Sequence, residues 1–268
     1  MRPATRPPDV WLTGACGGIG RELAERYLRT GSRVALLGRD REVLDTLVAA
    51  APDRARAYTP DVTDAVSVRA VAEDWTSAFG VPDVVIANAG VAGGFDTTEP
   101  GDLAVMRRML EINLLGVATT FSPFAGPMRD RGAGVLVGIA SVAGWRGMPG
   151  NGAYCASKGG LIRYLESLRA EMREYGVRVV TVSPGYVATD LVAGNTMRMP
   201  GLLQPGEAAD RIVAAVAGRR EKVTVPRRTG LISRGLALLP TSVADRVLLG
   251  QPRKPRVGEP GATEIPGL

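Results

Sequence analysis

The sequence predicts an α/β protein: one parallel sheet with helices on both faces. Three observations lead there. Short apolar, β-branched runs recur along the first 185 residues, and helical patterns separate them. Most of these runs are apolar throughout rather than alternating, as expected of strands buried on both faces. Glycines crowd the junction between the first run and the first helical pattern, where such sheets open towards a ligand.

The elements follow in order. VWLTG (10–14) is a strand running into glycines, and a helix follows from about Ile19 to Thr30. SRVALLG (32–38) is the second strand, with a helix from Arg41 to Ala50. ARAYTPDV (55–62) is weaker strand material, and Asp64 caps a helix reaching Phe79. PDVVIANAG (82–90) is a buried strand, residues 102–130 are mostly helical, and GVLVGIAS (134–141) is the next strand. Tyr154 to Tyr175 reads as a long helix stopped by Gly176, before the strand VRVVTVSPG (177–185). KVTVP (222–226) adds one more strand candidate. Beyond it the pattern changes. Leucines mix with arginines in 229–240, a short helix with Ser242 as cap covers 242–250, and from Gln251 proline, glycine and charge predict disorder.

Composition removes several kinds of chemistry. The chain has no histidine, which excludes Ser-His-Asp and Cys-His catalysis and any metal site built on imidazole. The two cysteines, Cys16 and Cys155, make neither a disulfide framework nor a zinc motif; Cys155 is expected to pack and Cys16 lies in the glycine turn. No long apolar run suggests a membrane span, and the polar, proline-rich start lacks the apolar stretch of a signal peptide, so a cytoplasmic protein is expected. The net charge of +6 is uneven. Residues 219–256 hold ten Lys/Arg and two acids, so the main body is close to neutral and a nucleic-acid-binding domain is not expected.

The chemistry gathers in a few places. TGACGGIG sets Thr13, Gly14, Gly18, Ile19 and Gly20 at the first strand–helix turn, where small residues and free amides suit a diphosphate. The spacing matches neither a phosphate loop nor GxGxxG. YCASK places Tyr154 four residues before Lys158, on one helical face. A free phenol is a poor base at neutral pH, and a positive charge within about 4–6 Å lowers its pKa. The chain has only three lysines against thirty arginines, which marks Lys158 as a choice of geometry: a compact ammonium, not a planar fork.

T-G-x-x-x-G-x-G, then NAG at 88–90, then Tyr-x-x-x-Lys, then PG at 184–185, in this order and spacing, resembles the short-chain dehydrogenase/reductase family over roughly residues 9–225. The resemblance implies a doubly wound, Rossmann-type catalytic domain over 1–226, with seven parallel strands and a nicotinamide dinucleotide across their carboxyl ends. It leaves 227–268 as a basic, leucine-containing, partly disordered extension. It also implies hydride transfer between the cofactor and a carbinol or carbonyl carbon, with Tyr154 as the acid or base. Lys158 holds the nicotinamide ribose, Ser141 bonds the substrate oxygen, and Asn113 positions a water leading to the lysine. Asp61 and Val62 match the adenine contacts; Asn88, Ala89 and Gly90 match the segment beneath the cofactor; Pro184, Gly185, Val187 and Thr189 match the nicotinamide side.

Cofactor choice rests on LLGRD. Gly38 stands where NAD-type members carry an acid, and Arg39 follows, which favours NADP(H) with Arg39 on the 2′-phosphate. NAD(H) remains the alternative: Arg39 stacked on adenine, or Asp40 on the ribose after a one-residue slip, would give it. Residues 144–152 and 188–203 are expected to line the substrate site, with Met197, Met199, Leu202 and Leu203 forming a lid over a hydrophobic alcohol or ketone. A homodimer or homotetramer is the family habit. The extension is open to three readings: weak contact of 219–256 with a membrane surface, cover for a neighbouring subunit or the pocket mouth, or a solvated tail. The rival functional reading is a cofactor-binding scaffold or sensor without turnover.

Overall fold

The computed structural model describes residues 6–192, 199–218 and 220–268. Seven strands form one parallel sheet in the order β3-β2-β1-β4-β5-β6-β7. They are β1 (Val10–Thr13), β2 (Val34–Leu37), β3 (Ala55–Tyr58), β4 (Val84–Ala87), β5 (Gly134–Ile139), β6 (Val177–Pro184) and β7 (Lys222–Val225). All pairings are parallel, and the order reverses between β1 and β4. A doubly wound sheet opens a crevice at that reversal, outside the carboxyl ends of its strands.

Alternation along the strands builds two cores. Val10 and Leu12 of β1, Val34 and Leu36 of β2, and Ile86 of β4 face one side. There they meet α1 (Gly18–Arg29), α2 (Arg41–Ala49) and α7 (Pro205–Ala217) through Leu23, Leu44 and Ile212. Trp11, Leu37, Val85 and Leu136 face the other side and meet α3 (Ala65–Phe79), α5 (Gly116–Arg131) and α6 (Gly152–Arg173). Trp11 is fully buried, with its ring 4.8 Å from Phe124 in an edge-on contact.

Several helix ends follow from single residues. Asp64 caps α3 as expected, accepting the amides of Val66 (2.9 Å) and Ser67 (3.2 Å). Asp40 caps α2 through the Val43 amide at 3.1 Å. Helix α7 has no counterpart in the sequence reading. It begins with Pro205 at its first position and a capping box of Gln204 and Glu207, and Arg26 of α1 reaches across to Asp210 and the Gly206 carbonyl. Between α4 (Asp102–Leu110) and α5 the helix widens into a π-helical turn, Glu111–Leu115, which carries Asn113.

Beyond β7 the chain departs from expectation. Helices α8 (Arg227–Leu238) and α9 (Thr241–Leu248) follow, and α9 starts after Pro240, so Ser242 lies inside it and is not its cap. Residues after Gln251, for which composition predicts disorder, lie back along the domain. Gly94 pairs with Arg256 as in a parallel bridge, Ile265 is 4% exposed against Met109 and Gly93, and the Pro266 carbonyl accepts from Arg108 at 2.7 Å. Non-local partners, not local periodicity, order this segment. None of the described helices is long and apolar enough to cross a membrane.

Truncating Phe124 to Ala should cost about 3–5 kcal/mol, because it removes the aromatic partner of Trp11 from a fully packed face. Chemical denaturation of the two proteins would check it, and a loss below about 1 kcal/mol would contradict the packing described.

Candidate active site

The cleft starts from one hydroxyl. Thr13, at the end of β1, is 1% exposed, and its Oγ1 accepts the backbone amides of both Asn88 and Ala89 at 3.1 Å. Asn88 replies with Nδ2, which donates to the carbonyls of Thr13 (3.1 Å) and Gly14 (3.2 Å). The turns after β1 and β4 are thus locked together at the strand reversal. A side chain at Gly20 would run into the Gly14 carbonyl, and one at Gly18 (φ +51°) would lie 2.7 Å from Thr189. The N-terminus of α1 has no side-chain cap and no acid in its first turn, so its amides remain open to an anion. A diphosphate fits this cradle.

From there a cleft of about 470 Å³ runs along the carboxyl ends of the strands. Gly14, Gly18, Ile19, Arg39, Asp61, Val62, Asn88, Ala89 and Gly90 line one part; Ser141, Tyr154, Lys158, Pro184, Gly185, Val187 and Thr189 line the rest. Of the expected substrate-lining stretches, Thr189, Asp190, Leu191 and Val192 line the cleft, whereas 144–152, Met199, Leu202 and Leu203 do not, and Leu203 packs instead with Ala208 and Val225. Among the named site residues, Thr13, Gly20 and Asn113 also stay out of the lining. Thr13 and Gly20 support the turn from behind. Asn113, fully buried, gives its whole side chain to bracing: Oδ1 accepts from the Val91 amide (2.8 Å), and Nδ2 donates to the Val91 carbonyl (2.9 Å) and Ser157 Oγ (3.0 Å). Met197 and Arg219 lie outside the described residues.

At the adenine end, burial works against the charge of Asp61. The Thr63 amide (2.9 Å), its hydroxyl (2.8 Å) and Arg108 (2.9 Å) nevertheless hold its carboxyl below the usual range. Arg39 is exposed beside Gly38, where no carboxylate stands, and the Asp40 carboxylate is engaged in capping α2.

At the other end, the phenol and the ammonium share one face of α6, but burial overrides the expected charge effect. Tyr154 sits beside Ser141, and desolvation pushes its pKa up, only partly opposed by the Ser141 hydroxyl. Lys158 is 4% exposed; its Nζ donates to the Ile139 carbonyl at 2.9 Å and lies 6.0 Å from the Tyr154 ring centre. The lysine stands behind the ring, and burial brings its own pKa down to about 8. Among the cleft's own residues, desolvation is the larger influence on the phenol.

Cys16, expected in the glycine turn, borders the cleft, with Sγ donating to the Asp40 carbonyl at 3.5 Å, and burial raises its thiol pKa. The sequence reading missed other lining residues. Arg108 and Pro266 also line the cleft. Arg108 had a legible signal, as a basic residue one helical turn from Glu111, whereas Pro266 had none. Cys155 is buried, as expected of a packing residue.

These features belong together in one family. The family described as short chain dehydrogenase matches residues 9–199, and the chain is a member of the short-chain dehydrogenase/reductase family. An uncharacterized oxidoreductase of Myxococcus xanthus is 34% identical over 237 residues, covering 87% of this chain and 93% of that one. Among solved structures, a short chain dehydrogenase from Burkholderia cenocepacia in complex with NADP superposes with a TM-score of 0.78 at 26% identity, over 91% of this chain and 98% of that one. A short chain dehydrogenase/reductase from Burkholderia phymatum in complex with NAD gives 0.76 at 26% identity, over 86% and 93%. This is an oxidoreductase family that binds NAD or NADP, and the residues of the cleft fit such a dinucleotide.

Replacing Thr13 with Val preserves shape but strands two amides. A loss of about 1–3 kcal/mol for each buried unsatisfied group is expected. A denaturation midpoint equal to that of the parent would show that the hydroxyl does not hold the two turns.

Proposed function

We propose that the protein is an NADP(H)-dependent reductase or dehydrogenase acting on a carbonyl or carbinol carbon of a largely apolar ketone or alcohol. The observation that carries this reading is the convergence of the Ser141 and Tyr154 hydroxyls with the Lys158 ammonium on one wall of the cleft, at the carboxyl ends of β5 and β6.

When bound, the reduced nicotinamide supplies the hydride. The remaining work falls to the chain. Ser141 Oγ accepts the Ala143 amide at 3.1 Å and donates to the Pro184 carbonyl at 3.5 Å, a long bond that it can exchange for one to a substrate carbonyl oxygen. Tyr154 donates the proton that completes the alcohol. A phenol is protonated at neutral pH without help, and burial, which raises its pKa, makes it hold that proton more firmly until charge develops on the substrate oxygen. In the oxidative direction the same phenol needs added positive charge before it can accept a proton. Lys158 supplies part of that charge and a donor for the ribose hydroxyls. Asn113 fixes the π-helical turn and the Val91 backbone that flank the lysine; a water held there would return the proton from solvent.

Preference for the phosphorylated cofactor is supported by what stands at the end of β2. Gly38 offers no carboxylate to repel a 2′-phosphate, and Arg39 is exposed at the cleft. In this reading the enzyme works in the cytoplasm, as a homodimer or homotetramer, on small molecules.

Changing Tyr154 to Phe should lower the reduction rate by about 10²- to 10⁴-fold while NADPH binding, followed by its fluorescence, is unchanged. Equal turnover by both proteins would remove the mechanism. Wild-type protein that binds NADPH yet reduces no member of a broad carbonyl panel would favour a non-catalytic sensor. Changing Arg39 to Ala should raise the KM for NADPH by about 10- to 100-fold and leave that for NADH alone. An equal effect on both would contradict the assignment of the phosphate site.

A further inference from the structure

The tail places a lysine among three loops at the substrate end of the cleft. Arg253 Nη1 donates to Asp96 Oδ2 at 2.5 Å in the loop after β4, and its stem rests against Gly150 in the loop after β5. These two loops are themselves joined, the Phe95 amide donating to the Gly150 carbonyl at 2.9 Å. Two residues further on, the Pro255 carbonyl accepts the Gly94 amide at 3.0 Å. Between these anchors Lys254 turns inward. It is 4% exposed, and its Nζ donates to the carbonyl of Leu191, at 2.6 Å, in the segment after β6. Leu191 lines the cleft.

The charge on this lysine is not matched. Its neighbours have carboxylates: Asp96 for Arg253, and Glu99 and Glu259 for Arg256. Among the described residues Lys254 forms no ion pair, and one carbonyl answers only one of its three donors. Burial lowers its pKa to about 8, which leaves it mostly protonated at neutral pH. An ammonium withdrawn from water without a counter-charge is costly, and the cost is relieved when an anion arrives. A compact ammonium on a flexible stem suits a single anionic group.

We propose that Lys254 is the anion-recognition group of the substrate compartment, and that the substrate carries a carboxylate in addition to its carbonyl or carbinol carbon. Val91, which lines the cleft with Met109 and Ile265 packed behind it, gives the body of such a molecule an apolar wall, and the free donors of Nζ, behind the Leu191 backbone of the cleft wall, take its charged end. This inference rests on the hydride-transfer reading for the reacting end of the substrate, but the binding it describes is separable from the reaction.

The test uses keto acids of increasing length, each paired with its methyl ester. With NADPH, the wild-type enzyme should favour the acid through KM by about 10- to 100-fold. Lys254→Met should bring the acid to the level of the ester and leave the ester unchanged, while Lys254→Arg should retain part of the preference. If Lys254→Met weakens acid and ester alike, the lysine only pins the tail, and the proposal is overturned. It is equally overturned if the wild-type enzyme shows no preference for any acid. Titrating the same pairs against the NADPH complex of Tyr154→Phe reads the preference without turnover. Selective acid binding there, with no turnover by the wild type, upholds Lys254 and sinks the reaction; turnover without selective binding does the reverse.

Discussion

A single buried hydroxyl sets the dimensions of the cleft. Thr13 Oγ1 receives two amides from the turn after β4, and Asn88 returns two bonds to the turn after β1. These four bonds span the place where the strand order reverses, so the glycine turn and the NAG segment move as one body. The open amides of α1 are aimed from one side of that body. Gly90, on the other side, lies close to both Asn113 and Lys158. A side chain there would crowd the Asn113 carboxamide oxygen at 3.1 Å and the lysine nitrogen at 3.4 Å. Cradle and proton-handling residues are therefore fixed relative to each other through backbone, which is how a fold positions chemistry without depending on long, flexible side chains.

At the reacting end, desolvation outweighs charge. An ammonium 6.0 Å behind an aromatic ring offers limited help to a phenolate, while burial of both groups penalises each charged form. Burial thus raises the pKa of the phenol and lowers that of the lysine.

Much of this was legible in the sequence, for identifiable reasons. Strands buried on both faces leave apolar runs, and β1, β2, β4, β5 and β6 all do so. The ordered motifs alone bring most of the cleft residues together. Side-chain roles were less legible. Thr13 and Asn113 carry the right chemistry for a ligand, yet their polar atoms are consumed by backbone groups far away in sequence, and no local pattern records that. Helix α7 is alanine-rich and only 13 residues long, so its apolar face against α1 shows weakly. The tail was hardest. Its proline and glycine content lacks any periodicity, and its order comes from Asp96, Glu99, Leu191 and Arg108, which lie tens to more than a hundred residues upstream.

The scarcity of lysine has a practical side. Lys158 and Lys254 are each 4% exposed and bonded to backbone carbonyls, whereas Lys222, at the start of β7, has half of its side chain in solvent and pairs with Glu166. Amine-directed acylation or surface coupling therefore finds one accessible lysine, remote from the cleft. A dye, a bead or a biotin attached to that side chain would hang from the sheet's edge at the start of β7, while the cleft lies at the opposite, carboxyl ends of the strands.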